Sequence, residues 1–154
     1  VFSSSDEEDG GMSGQQDVSR FVAAQDAGGS YERALRELRA GRKTSHWMWW
    51  VFPQVAGLGR SPTSQEYGVR GLEEARAYLA HPVLGPRLRE CAAALTALPG
   101  SDPGAVLGGI DAVKLRSSMT LFARAAGPGE DEPFRAVLGQ YFEGGEDPHT
   151  LALL

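Results

Sequence analysis

Residues 42–54 read RKTSHWMWWVFPQ, and the fold class turns on them. Their core, HWMWWVF (46–52), is either a buried strand or a short helix capped by Thr44 or Ser45; seven residues are too few for periodicity to separate the two. Phe52 precedes Pro53 and is pushed out of the α region, so the element ends there. Elsewhere β-branched residues are scarce and no period-two run persists, so the rest of the chain supplies no partner strand. The stretch therefore reads as helix. The whole chain then reads as all-α, a single compact domain of about six to eight mostly short helices.

The flanking segments punctuate themselves accordingly. DVSRFVAAQDAGG (17–29) is a short helix holding Phe21, Val22 and Gln25, stopped by Gly28 and Gly29. Ser30 is expected to cap YERALRELRAG, where Tyr31, Leu35 and Leu38 recur at helical spacing and Gly41 stands at the end. GLEEARAYLA (71–80) places Leu72, Ala75 and Leu79 on one face. PRLRECAAALTAL (86–98) opens on a first-turn proline and carries the stripe Leu88, Cys91, Ala92, Leu95, Leu98. Asp102, Asp111 and Asp147 each read as caps of later helices, and Pro133 opens another. Between them PQVAGLGRSPTSQEYG (53–68) is a long glycine-rich loop, of the kind that often carries function.

Composition narrows the class. The 154 residues suffice for one core, and one cysteine, Cys91, excludes an internal disulfide and fits a reducing compartment. With no apolar run of spanning length and no secretory signal, the expectation is a cytoplasmic protein without a membrane partner. Asp6, Glu7, Glu8 and Asp9 account for four of the five net negative charges, so the body is close to neutral. It lacks the broad positive field of a nucleic-acid binder, and no nucleic-acid partner is expected. Residues 1–16 are polar and acidic and read as a disordered tail, with 17–154 as the domain. Met12 is a candidate natural start, which would leave 1–11 as a cloning remnant or an alternative extension.

The strings RFVAAQ, GRKTSHWMWWVFPQ, GLGRS, AYLAHPVLGPRLREC, KLRSSMTLFA and TLALL resemble an uncharacterised bacterial domain family that often travels under the label calpastatin. The resemblance runs from about Val18 to Leu154. It implies a single, mainly helical domain and no particular activity. The label itself carries no weight, because the chain has none of the repeated disordered inhibitory segments of such an inhibitor.

Thirteen arginines stand against two lysines, the bias of a GC-rich coding background. Lys43 and Lys114 then mark places where a compact ammonium is not replaceable by a guanidinium. Lys114, Ser117 and Ser118 lie at i, i+3 and i+4 and share a helix face, which with Arg116 beside them could grip an oxyanion. The same trio has two other readings: a serine nucleophile beside a lysine base, or a solvated face. In the opening stretch Trp47 and Trp50 are candidates for stacking on a flat ligand, with Arg42 and Lys43 meeting its negative group. The simpler reading of the tryptophans is core. Arg60, in GLGRS, is a candidate to close over the anion. His46 and Lys114 are the acid–base candidates for hydrolase-type chemistry, histidine being the side chain that ordinarily titrates near neutrality. Three scattered histidines and one cysteine make no metal site, and GLGRS lacks the lysine of a nucleotide-binding P-loop, so neither metal nor cofactor is expected. Together these readings point to a small anionic, phosphate-containing, nucleotide-like ligand, ADP-ribose-like compounds among them. The alternative is a non-enzymatic domain that offers its tryptophan cluster to a protein or peptide.

Overall fold

The computed structural model describes residues 18–154. The acidic tail lies outside them. The described residues form an all-α domain with no strand; Val55 and Val69 make one isolated parallel bridge. Six helices run two turns or more: α1 (Ser19–Asp26), α2 (Ser30–Ala40), α5 (Gly71–Ala80), α6 (Leu84–Thr96), α8 (Gly109–Ala125) and α9 (Glu132–Phe142). Single turns fill the gaps: α3 (Met48–Val51), α4 (Pro62–Glu66), α7 (Pro103–Leu107) and α10 (Pro148–Ala152). Within the opening stretch Met48–Val51 form the single helical turn α3, with Trp47 at its N-terminal boundary and no side-chain cap, while residues 42–47 are loop.

α8 is the central element. It packs against α5, α7, α9 and α10, while α6 lies across α2, α5 and α9. From Ser117 to Ala123 every residue of α8 is buried, which is the signature of a helix inside a core rather than on it. Its Phe122 shares the core with Trp47, Phe21, Tyr78 and Phe134, all fully buried. Tyr78 makes an edge contact with Phe21 and a tilted one with Phe122, with centroids 5.2 and 5.0 Å apart. Gly85 lets α6 close on the end of α5: a Cβ there would lie 2.1 Å from the Leu79 carbonyl oxygen. Cys91 is buried in this core and its thiol is pushed up to about 12 by burial, the condition of an inert sulfur.

Buried polar groups lock the helices together. Gln25, almost wholly buried, donates from Nε2 to the Trp50 carbonyl (2.7 Å) and to the Tyr78 hydroxyl (3.1 Å), and its Oε1 accepts from Arg87. One amide thereby ties α1 to α3, α5 and α6. Glu74 accepts from the Arg20 guanidinium and the Arg70 N–H; Arg20 also donates to the carbonyls of Glu66 and Gly68, which pins the loop after α4.

Several caps differ from their sequence reading. Ser30 is the first residue of α2 rather than its cap, and its Oγ accepts from the Trp50 indole at 2.8 Å. Gly41 ends α2 in the left-handed region, as its position suggests. Asp102 and Asp147 do cap α7 and α10. Asp111 does not cap α8, because the chain breaks earlier, at Gly108 with φ 88°, and Gly109 and Ile110 are already helical.

Ser118 is fully buried on α8 and its hydroxyl finds no hydrogen-bond partner among the described residues. A buried hydroxyl in that state costs free energy that a methyl group does not. Ser118→Ala should therefore stabilise the domain by about 1 kcal/mol, read as a melting temperature about 3 °C higher. A drop instead would mean that a water or a ligand serves this hydroxyl.

Candidate functional site

Glu37 organises the opening stretch. Past Gly41 the chain turns back, with the Arg42 N–H on the Glu37 carbonyl, and lays residues 44–47 over the Glu37 side chain. Oε1 accepts from the N–H groups of Thr44 (2.8 Å) and Ser45 (3.0 Å) and from the Trp47 indole (2.9 Å); Oε2 accepts from the Ser45 hydroxyl at 2.6 Å. Burial alone would raise this carboxyl, but the four donors outweigh it and hold it down to about 2. Thr44 and Ser45, read as caps of α3, are instead donors to Glu37.

That loop delivers Lys43 to α8. The Lys43 N–H donates to the Val106 carbonyl of α7 at 2.7 Å, and its ammonium lies 2.9 Å from Asp111 Oδ2. The Lys114 ammonium lies 3.5 Å from Oδ1 of the same carboxylate. The two lysines of the chain therefore share Asp111. Side-chain exposures of 8% for Lys43, 18% for Asp111 and 20% for Lys114 make this a half-sheltered cluster at the surface, with a net charge of +1. Aromatic faces complete it: Lys114 Nζ stands 3.8 Å from the centroid of Trp49, and Lys43 Nζ 5.2 Å from that of Trp47.

The other expected site residues are distributed as follows. Arg42 and His46 are exposed on the loop beside Lys43, and Arg60 is exposed before α4. Trp47 is fully buried and belongs to the core, meeting the cluster only through Lys43, and Trp50 is half-buried with its indole on Ser30; the tryptophan under Lys114 is Trp49. Arg116 donates to the carbonyls of Gly145 and Glu146 and so fastens the segment before α10. Ser117 is buried, 2.6 Å from Thr150 Oγ1, and Thr150 donates in turn to Asp147 Oδ2 at 2.6 Å. The face expected of Lys114, Ser117 and Ser118 thus divides: the lysine reaches the surface and both serines point into the fold. Among the described residues no group of three or more His, Cys, Asp or Glu side chains is placed to hold a metal. No described helix is long and apolar enough to cross a membrane.

Sequence reasoning missed Glu37, Trp49 and the role of Asp111. A weak signal existed for the last: Asp111 and Lys114 stand at i and i+3, the spacing of a helical ion pair.

Fold and cluster together define a compact all-α domain with a surface lysine–carboxylate–lysine group backed by tryptophan. The chain belongs to the DUF1810 family, described as proteins of unknown function, whose family model matches residues 15–154. It is similar to the conserved hypothetical protein Rv1873 from Mycobacterium tuberculosis, whose crystal structure at 1.38 Å superposes with a TM-score of 0.85 at 51% identity, over 90% of this chain and 96% of that one. No curated protein matches the chain.

Proposed function

We propose that the domain binds a small phosphate-containing, nucleotide-like anion at the Lys43–Asp111–Lys114 cluster, against Trp49. The observation that carries the reading is the meeting of the only two lysines in the sequence on one carboxylate. Asp111 holds both ammoniums in place in the free protein yet neutralises only one of them, so one positive charge is left, already positioned. Preorganised charge of this kind lowers the ordering cost of binding. Trp49 offers an aromatic face at the same place, and Arg42 and His46 are exposed on the loop that carries Lys43. Lys114 acts here as an ammonium that attracts the ligand.

Pyrophosphate and ADP, titrated calorimetrically, test the reading. Lys114→Ala should weaken both by about tenfold, the worth of a charge-assisted hydrogen bond. Arg36→Ala, which removes an exposed cation elsewhere on α2, should leave them unchanged. Equal losses in the two variants would reduce the effect to general electrostatics and sink the proposal.

A further inference from the structure

The large hydrophobic side chains that stand exposed among the described residues are Ile110 (77%), Val113 (64%), Leu153 (45%) and Leu154 (39%). They are not scattered. Val113 and Leu153 line one open hollow of about 470 Å3, Ile110 lies one turn before Val113 on α8, and Leu154 follows Leu153. Isolated apolar side chains at a surface need no explanation, but a cluster around a concavity does. The hollow has three walls: Val113 on α8, Gln54, Gly57 and Leu58 on the loop after α3, and His149, Ala152 and Leu153 on and just after α10; Ser117 and Asp147 complete the lining. Its volume falls within the range of small-molecule sites.

Helix geometry puts this hollow beside the lysine cluster. Lys114 is not among the residues lining the hollow, but it follows Val113 and stands three residues before Ser117 and four after Ile110, which sets it on the helix face next to theirs. Trp49, under the Lys114 ammonium, belongs to α3, and the chain leaving α3 passes through Phe52 and Pro53 to Gln54 in the loop wall.

We infer that the hollow is the second half of the proposed site, and that the ligand is an anion bearing a flat apolar ring, its charge at Lys114 and its ring between Val113 and Leu153. The inference rests on the anion-binding reading above. Charge complementarity selects the occupant: a neutral apolar molecule would leave the adjacent ammonium unused, and an inorganic anion would leave the apolar walls wet.

Three fluorescence or calorimetric titrations separate the parts. The probes are 8-anilinonaphthalene-1-sulfonate, which carries ring and anion; N-phenyl-1-naphthylamine, the same ring system without the sulfonate; and pyrophosphate, the anion alone. The sulfonate should bind one to one and at least tenfold more tightly than the neutral amine. Val113→Ser combined with Leu153→Ser, both at exposed positions where folding is not at risk, should weaken the sulfonate about tenfold and leave pyrophosphate as in the parent. Lys114→Ala should weaken both anions. Sulfonate binding indifferent to the serine pair, with pyrophosphate still bound through Lys114, would overturn this inference and spare the anion site. Neutral amine bound as tightly as the sulfonate, with pyrophosphate not bound, would overturn both. Concentration-dependent dimerisation abolished by the serine pair would also overturn it, since the apolar face would then be a subunit interface.

Discussion

Glu37→Gln should cost the domain about 3 kcal/mol and lower its melting temperature by about 10 °C. The amide imitates the protonated carboxyl, so its cost follows from the pKa. The folded carboxyl titrates at about 2, against an ordinary value of 4.5. A difference of about 2.5, at about 1.4 kcal/mol for each, gives about 3 kcal/mol. The sign is fixed because the folded value is the lower one. The stabilisation is complete above about pH 4.5 and drains away as the pH falls towards 2. Urea unfolding of parent and variant at pH 7, 4.5, 3 and 2 checks this. The parent should lose about 3 kcal/mol more than the variant between pH 4.5 and 2. Parallel curves would show that the four hydrogen bonds do not hold the charged form. Because the same carboxylate shapes the loop that carries Lys43, the variant should also bind pyrophosphate less well at neutral pH.

Asp111→Asn should move stability and affinity in opposite directions. Two ammoniums would remain without their counter-charge, and Lys43, with 8% of its side chain exposed, has little water to turn to. Breaking a fully buried pair costs about 3–5 kcal/mol; with Asp111 and Lys114 each about a fifth exposed, about 2 kcal/mol is expected here. The local charge meanwhile rises from +1 to +2. For an anion a few ångströms away in a half-solvated site, that should tighten pyrophosphate binding about fivefold at low salt. The gain should shrink in 0.5 M salt. Thermal melts and calorimetry on one preparation give both numbers. Affinity that falls with stability would mean that the lysines are no longer held where the anion needs them, or that the anion binds elsewhere.

The fold was legible in the sequence because its signals are local. Helical spacing, terminal glycines and the Asp–Pro caps each specify a few residues at a time, and the absence of partner strands settled HWMWWVF as helix. The cluster was legible only in part. The rarity of lysine singled out Lys43 and Lys114, but nothing in the linear chain says that they meet. Glu37 sits in RELRAG looking like any solvated helix charge. Its donors arrive only when the chain reverses after Gly41, a tertiary event. Asp111 looked like a cap because aspartate before an apolar run usually is one; the earlier break at Gly108 released it for the lysines. Ser117 and Ser118 had the right spacing for a shared face with Lys114, yet serine does not declare which side is solvent. On a helix buried nearly all round, both faced inward. Trp47, Trp49 and Trp50 show the same limit: three identical side chains within four positions go to the core, to Lys114 and to Ser30, because the chain turns into a helix only after Trp47.

The hollow joins parts of unequal durability. One wall is α8, enclosed by four other helices, which can move only if the whole molecule opens. The facing wall is α10, a five-residue turn fastened through the Ser117–Thr150–Asp147 hydroxyl chain and the grip of Arg116 on the residues before it. Such a turn can lift on a much shorter time scale than the core beneath it. A molecule lying between the two would tie a short, separately fastened turn to the central helix, and its departure would need that turn to lift but not the core to open.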